Sequence, residues 1–127
     1  MSEIKDPHLI KGDLDSLRHE VREFYSKKGV IVEKDPNQDT TDLQKAFLSM
    51  AYSDMFQGFK DPIIICGGLG GNLTHTIANI ASILHPPNLQ NQIYLLSDDN
   101  VGIVLEKGEH TIIGHSNMYC GFIPLLG

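Results

Sequence analysis

Residues 63–84 read Ile63-Ile64-Ile65-Cys66-Gly67-Gly68-Leu69-Gly70-Gly71-Asn72-Leu73-Thr74-His75-Thr76-Ile77-Ala78-Asn79-Ile80-Ala81-Ser82-Ile83-Leu84. The first four are apolar, too short a run for a helix and rich in β-branched side chains, so they predict a buried strand. Leu73, Ile77, Ile80, Ala81 and Leu84 recur at helical spacing, and Pro86-Pro87 closes that helix. A strand turned into a helix by glycines is the unit of a parallel α/β sheet. The turn predicts backbone with positive φ, which glycine adopts without steric cost. Its position, between a strand end and a helix N-terminus, is also where backbone amides hold phosphate. A dinucleotide fingerprint starting at Gly68 would need glycine at position 73, where Leu73 stands. No Gly-Lys-Ser/Thr follows, so the loop is not a Walker motif.

Upstream the same alternation continues. Leu17, Val21, Phe24 and Tyr25 predict a helix stopped at Lys27-Lys28-Gly29, and Val30-Ile31-Val32 predicts a strand. Leu43, Ala46, Phe47, Met50 and Ala51 predict a second amphipathic helix. Downstream the pattern changes: residues 93–96, 101–105 and 111–113 read as short strands, with turns at Asp98-Asp99-Asn100 and Lys107-Gly108. The expected fold class is therefore α/β. A Rossmann-like, largely parallel α/β portion (1–92) is followed by the start of an antiparallel β-sandwich (93–127).

Two acidic clusters stand just before the first two helices: Gly12-Asp13-Leu14-Asp15-Ser16 and Gln38-Asp39-Thr40-Thr41-Asp42. Helix capping accounts for these residue types, with Asp15 or Ser16 capping one helix and Thr41 with Gln44 forming a capping box on the next. A fold that joined the two loops would also gather four carboxylates. Two carboxylates 4 Å apart repel by roughly 4 kcal/mol at an effective dielectric near 20. Such a pocket needs a cation or bound protons. Hard oxygen donors without Cys or His partners point to Mg²⁺, which usually arrives with a phosphate.

The chain has 127 residues and a net charge of −6, so it lacks the basic excess that nucleic-acid binding requires. Nine of its ten Lys and Arg residues lie at or before Lys60, leaving an apolar second half suited to buried strands or a subunit interface. No apolar run approaches the roughly 18 residues needed to span a bilayer, and the N-terminus lacks a signal-peptide core. Cys66 and Cys120 have no Cys-x-x-Cys spacing and are expected to be buried free thiols, which fits a reducing cytosol. His75 and Asn79 fall on one helix face one turn apart; a solvent-facing or cleft-lining face is expected there rather than a two-ligand metal site. His110 and His115 are read as structural.

Taken together, the motifs resemble thiamine pyrophosphokinases of the eukaryotic type. The resemblance is carried by Gly12-Asp13-Leu14-Asp15-Ser16-Leu17, by Glu20-Val21-Arg22-Glu23-Phe24-Tyr25 and by Gln38-Asp39-Thr40-Thr41-Asp42. The glycine loop with His75-Thr76-Ile77-Ala78-Asn79 continues it, as do Tyr94-Leu95-Leu96-Ser97-Asp98-Asp99-Asn100, Glu106-Lys107-Gly108-Glu109-His110 and Cys120-Gly121-Phe122-Ile123-Pro124-Leu125. The resemblance covers about residues 11–125.

It implies transfer of diphosphate from ATP to thiamine, giving thiamine diphosphate and AMP. It implies Mg²⁺ held by Asp13, Asp15 and Asp42, with Asp42 or Asp15 accepting the hydroxyl proton. Gln38, Asp39 and Thr41 would orient substrate, and Gly68, Gly70, Asn72 and His75 would face the nucleotide–thiamine cleft. A cytoplasmic homodimer with sites at the interface is implied as well.

Departures accompany the resemblance: Val101-Gly102 and residues 110–118 match only loosely, Pro124-Leu125-Leu126-Gly127 breaks the family's spacing, and three further differences stand out. Gly71-Asn72-Leu73-Thr74 stands where the family has Gly-Arg-Phe-Asp. Nothing corresponds to the family's upstream Asp-Gly-Gly-Ala-Asn loop, and the chain has no Trp to match its C-terminal Thr-Thr-x-Gly-Leu-x-Trp segment. The expectation is a chain truncated at both ends. Two rival readings stand beside the enzyme: a non-catalytic relative that binds nucleotide or thiamine or pairs with a full-length subunit, and an unrelated Mg²⁺-dependent phosphotransfer domain.

Overall fold

The computed structural model describes residues 5–114, 117 and 119–125; His115 lies outside them. In chain order the elements are β1 (Leu9–Gly12), α1 (His19–Lys27), β2 (Ile31–Lys34), α2 (Asp42–Tyr52), a 3₁₀ turn (Asp54–Phe56), β3 (Ile63–Cys66), α3 (Leu73–Leu84), β4 (Ile93–Leu96) and β5 (Val101–Ile103). The α/β class expected from the alternation is what forms.

Among the described residues two sheets form rather than one. β1 pairs parallel with β2, Leu9 opposite Ile31 and Gly12 opposite Lys34. β3 pairs parallel with β4, Ile63 opposite Ile93 and Cys66 opposite Leu96. β5 then adds antiparallel to β4, Leu96 opposite Val101. The hairpin between them closes through Ser97, whose N–H donates to the Asn100 carbonyl at 2.9 Å, as the Asp98-Asp99-Asn100 turn predicts. β5 is shorter than the 101–105 run suggests, and no strand forms over 111–113.

The core is one cluster: Phe47 of α2, Ile83 of α3, Ile63 of β3, and Ile93 and Leu95 of β4. Phe47 is 1% exposed; burying a side chain of this size contributes about 1.5–3 kcal/mol. Neighbouring strands place paired residues on the same face, so Ile63, Ile93, Ile65 and Leu95 face this cluster together. Ile64, Tyr94 and Ile103 share the opposite face. There the expectation of a fully buried strand fails: Ile64 is 60% exposed, because α2 and α3 supply cover on the cluster side only. For the same reason Cys66, two residues along β3, is exposed, and Cys120 is exposed as well, so neither is the buried thiol expected. α2 also packs against β1, so it bridges the two sheets. Among the described residues, no helix is long and apolar enough to cross a membrane.

Candidate functional site

Because β1 and β2 run parallel, their carboxyl ends lie at the same edge. Each strand feeds one acidic loop, and the carboxyl edge of a parallel sheet is where α/β folds bind ligands. The two loops meet. The Asp35 N–H donates to the Gly12 carbonyl at 2.8 Å. A β-carbon on Gly12 would lie 2.9 Å from Oδ1 of Asp42, the first residue of α2. Lys34 reaches back across the edge, its Nζ 3.5 Å from Oδ1 of Asp15.

The first loop is shaped by its own polar groups. Leu14 sits in the left-handed region at φ 60°, an uncommon setting for a bulky residue that costs of order 1–3 kcal/mol. Around it, Asp13 Oδ1 accepts the Asp15 N–H at 3.1 Å, and the Leu14 carbonyl accepts the Leu17 N–H at 3.1 Å. Capping by Asp15 or Ser16 does not occur. α1 starts later, with Arg18 at the N-cap and no side-chain cap bond. Asp13 and Asp15 therefore stay in the loop, and Asp15 keeps its carboxylate 73% exposed.

The second loop ends in the capping box that Thr41 and Gln44 predict. The Gln44 N–H donates to Thr41 Oγ1 at 3.2 Å and the Thr41 N–H donates to Gln44 Oε1 at 2.9 Å. Upstream, Asn37 Oδ1 accepts the Asp39 N–H at 2.8 Å, and Gln38 Nε2 donates weakly to the Pro36 carbonyl at 3.5 Å. Asp39 and Gln38 are exposed. The Oγ1 of Thr40 is buried without a hydrogen-bond partner among the described residues.

Lys45 is the residue that sequence reading missed. Its side chain is 2% exposed, yet it carries an ammonium group. Nζ donates to the Asp35 carbonyl at 3.0 Å and lies 3.6 Å from Asp42 Oδ1. One turn of α2 thus places a cation between the loop after β2 and the carboxylate beside Gly12. The signal in the sequence is an Asp–Lys pair at i, i+3 in the first turn of a helix, which reads equally well as a solvated surface pair.

The glycine loop lies at the carboxyl end of β3. Gly67, Gly70 and Gly71 take φ of 74°, 93° and 67°, as the turn reading predicts. Gly68 is needed for space: a β-carbon there would lie 2.5 Å from Leu95 Cδ1. Asn72 caps α3, its Oδ1 accepting the Thr74 N–H at 2.8 Å. His75 is exposed, on the solvent-facing side of that expectation, while Asn79 turns to the loop, its Nδ2 donating to the Gly68 carbonyl at 3.0 Å. Among the described residues, no hydrogen bond or ion pair links this loop to the aspartate loops.

The donor chemistry of the aspartate loops suits a hard cation, since the side chains offered are carboxylates, hydroxyls and an amide, with oxygen donors and no Cys or His. Among the described residues, no three His, Cys, Asp or Glu groups are gathered closely enough to enclose a metal. That is compatible with Mg²⁺, which is commonly held by one or two carboxylates plus phosphate oxygens and water.

Comparison with known proteins adds to this geometry. A family model described as thiamin pyrophosphokinase, catalytic domain, matches residues 1–95. Thiamine pyrophosphokinase 3 of Oryza sativa subsp. japonica is 40% identical over 127 residues, covering 94% of this chain and 46% of that protein. Thiamine pyrophosphokinase 1 of Arabidopsis thaliana is 36% identical over 125 residues, with 94% and 46% covered. The chain thus spans about half the length of these relatives. A crystal structure of a Lactobacillus plantarum protein aligns with a TM-score of 0.54 at 34% identity, covering 75% of this chain and 44% of that one. The Bacillus subtilis thiamine pyrophosphokinase aligns with a TM-score of 0.51 at 27% identity, with 75% and 42% covered.

Proposed function

The chain belongs to the thiamin pyrophosphokinase catalytic-domain family, and from that membership we propose that it serves diphosphate transfer from ATP to thiamine. In this reaction the thiamine hydroxyl oxygen attacks the β-phosphorus of ATP. The bond from that phosphorus to the oxygen bridging it to the α-phosphate breaks, AMP leaves, and the hydroxyl proton passes to a base.

The single observation that carries this reading is the approach of Gly12 to Asp42, which joins two acidic loops at one carboxyl edge of a parallel sheet. In this proposal Asp13, Asp15 and Asp42 would supply the carboxylates that Mg²⁺ binds, the rest of its coordination coming from phosphate oxygens and water. When bound, that ion neutralises charge on the phosphoryl oxygens and orients the transferred group. Asp42 or Asp15 takes the hydroxyl proton. Gln38, Asp39 and Thr41 orient substrate; the Thr41 oxygen already accepts the Gln44 N–H, which leaves its own hydroxyl proton to donate. Lys45 holds Asp42 in place from the buried side. The glycine loop, through Gly68, Gly70, Asn72 and the exposed His75, faces the nucleotide–thiamine cleft.

We place nucleotide binding in residues 1–92 and thiamine binding in 93–127. A homodimer is proposed on the apolar exposure of the C-terminal stretch, where Ile113 is 93% and Ile123 77% exposed; large apolar patches mark association surfaces. Two free cysteines, both exposed, support a reducing, cytoplasmic setting.

The test is AMP formation from Mg²⁺–ATP with and without thiamine. Thiamine-dependent AMP, abolished by Asp15→Asn at unchanged circular dichroism, is the expected result. Binding of both substrates with no AMP, or AMP release that ignores thiamine, would overturn it.

A further inference from the structure

We infer that Asn79, with Thr76, is a positioning residue for the polyphosphate, fixing which way the peptides of the glycine loop face. This rests on the nucleotide reading given above. Asn79 Nδ2 donates to the Gly68 carbonyl at 3.0 Å, and Thr76 Oγ1 donates to the Gly70 carbonyl at 3.2 Å. Both donors sit on α3, so both carbonyls are drawn toward that helix. In a planar trans peptide the N–H lies opposite the C=O, and none of the described peptides is cis. The N–H of Leu69 and the N–H of Gly71 are therefore turned away from α3. Neither has a hydrogen-bond acceptor among the described residues.

Glycine cannot set this orientation itself. With no β-carbon at 67, 68, 70 or 71, flipping a peptide meets little steric resistance. The backbone shape comes from outside the loop: Leu95 leaves no room for a β-carbon at Gly68 on the sheet side, and Asn79 and Thr76 bond the loop carbonyls from the helix. The result is two backbone donors at the carboxyl end of β3, both turned from the helix and without an acceptor among the described residues, which suits them to a phosphate oxygen. Asn79 touches no substrate in this account; it acts through the peptide between Gly68 and Leu69.

The experiment measures dissociation constants for Mg²⁺–ATP, Mg²⁺–pyrophosphate and thiamine by calorimetry, alongside melting temperature. The variants are Asn79→Leu and Thr76→Val, each removing a donor without adding charge, and Thr76→Ser, which keeps one. Asn79→Leu is expected to weaken both phosphate ligands about tenfold while thiamine binds within about twofold of wild type. Thr76→Val should behave likewise, and Thr76→Ser should restore wild-type affinity. Wild-type phosphate affinity in Asn79→Leu, or an equal loss for thiamine, would overturn the inference alone. A wild-type chain that binds no Mg²⁺–ATP would overturn the proposed function and this inference with it.

Discussion

Gly12 and Asp42 are so close that a single methyl group would not fit between them: a β-carbon on Gly12 would lie 2.9 Å from Oδ1 and 3.2 Å from Cγ of Asp42. One residue ends a strand and the other begins a helix thirty positions later. Their contact joins the loop carrying Asp13 and Asp15 to the loop carrying Gln38 and Asp39.

Gly12→Ala tests the contact. The Asp42 side chain is 68% exposed, so it has room to rotate away from the new methyl group. The expected change in unfolding free energy is within about 1 kcal/mol. Turnover is expected to fall far more, on the order of 100-fold, because a displacement near 1 Å is enough to misplace a reacting group. Chemical denaturation and thiamine-dependent AMP formation, measured on the same preparation, separate the two effects. Full turnover in the variant would mean that the position of Asp42 does not matter.

Lys45 is the buried counterpart of that contact. Lys45→Met keeps an unbranched apolar side chain one atom shorter than that of lysine and removes the charge. The Asp35 carbonyl then loses its donor, which is expected to cost about 1–3 kcal/mol. The exposed carboxylate of Asp42 falls back on water and adds little. Lys45→Ala should cost more, since the packed methylenes are lost as well. Urea midpoints would show the order, and equal midpoints for the two variants would mean that the stem of Lys45 does not pack.

What the sequence makes legible here is local. The strand over 63–66 and the helix over 73–84 follow from apolar period and breakers, and the Thr41–Gln44 box follows from a spacing of three. Exposure is different, because it depends on what lies across a face. Nothing in Ile63-Ile64-Ile65-Cys66 says that only alternate residues are covered, since that depends on helices elsewhere in the chain. The capping role read for Asp15 and Ser16 fails by a shift of the helix start to His19. Lys45 is illegible for a similar reason. Its acceptor is a backbone carbonyl ten positions away, and only the tertiary fold brings the two together.

Thr40 offers a stability test with a functional reading. Its Oγ1 is buried without a partner among the described residues, and an unsatisfied buried hydroxyl is costly. Thr40→Val replaces it with a methyl group of similar shape and is expected to stabilise the fold by about 1 kcal/mol. Differential scanning calorimetry reads this directly. If the same variant forms AMP more slowly, the hydroxyl is reserved for a ligand of the second acidic loop. A destabilised variant would mean that the hydroxyl is satisfied in solution.

Gly68 and Leu95 provide the last test. The β-carbon of Gly68→Ala would meet Leu95 Cδ1 at 2.5 Å and Ile65 Cγ2 at 3.1 Å. Leu95 is 2% exposed in the centre of the core, so it cannot swing aside as Asp42 can. Overpacking of this kind costs about 1–3 kcal/mol. Leu95→Ala alone should cost about 2–5 kcal/mol by leaving a cavity. In the double variant the new methyl group enters the space that the leucine vacates, so the two costs should sum to less than their separate values. A coupling energy of about 1 kcal/mol or more in this double-mutant cycle is expected. Strict additivity would mean that the glycine loop does not rest on Leu95, and the loop's shape would then have to come from Asn79 and Thr76 alone.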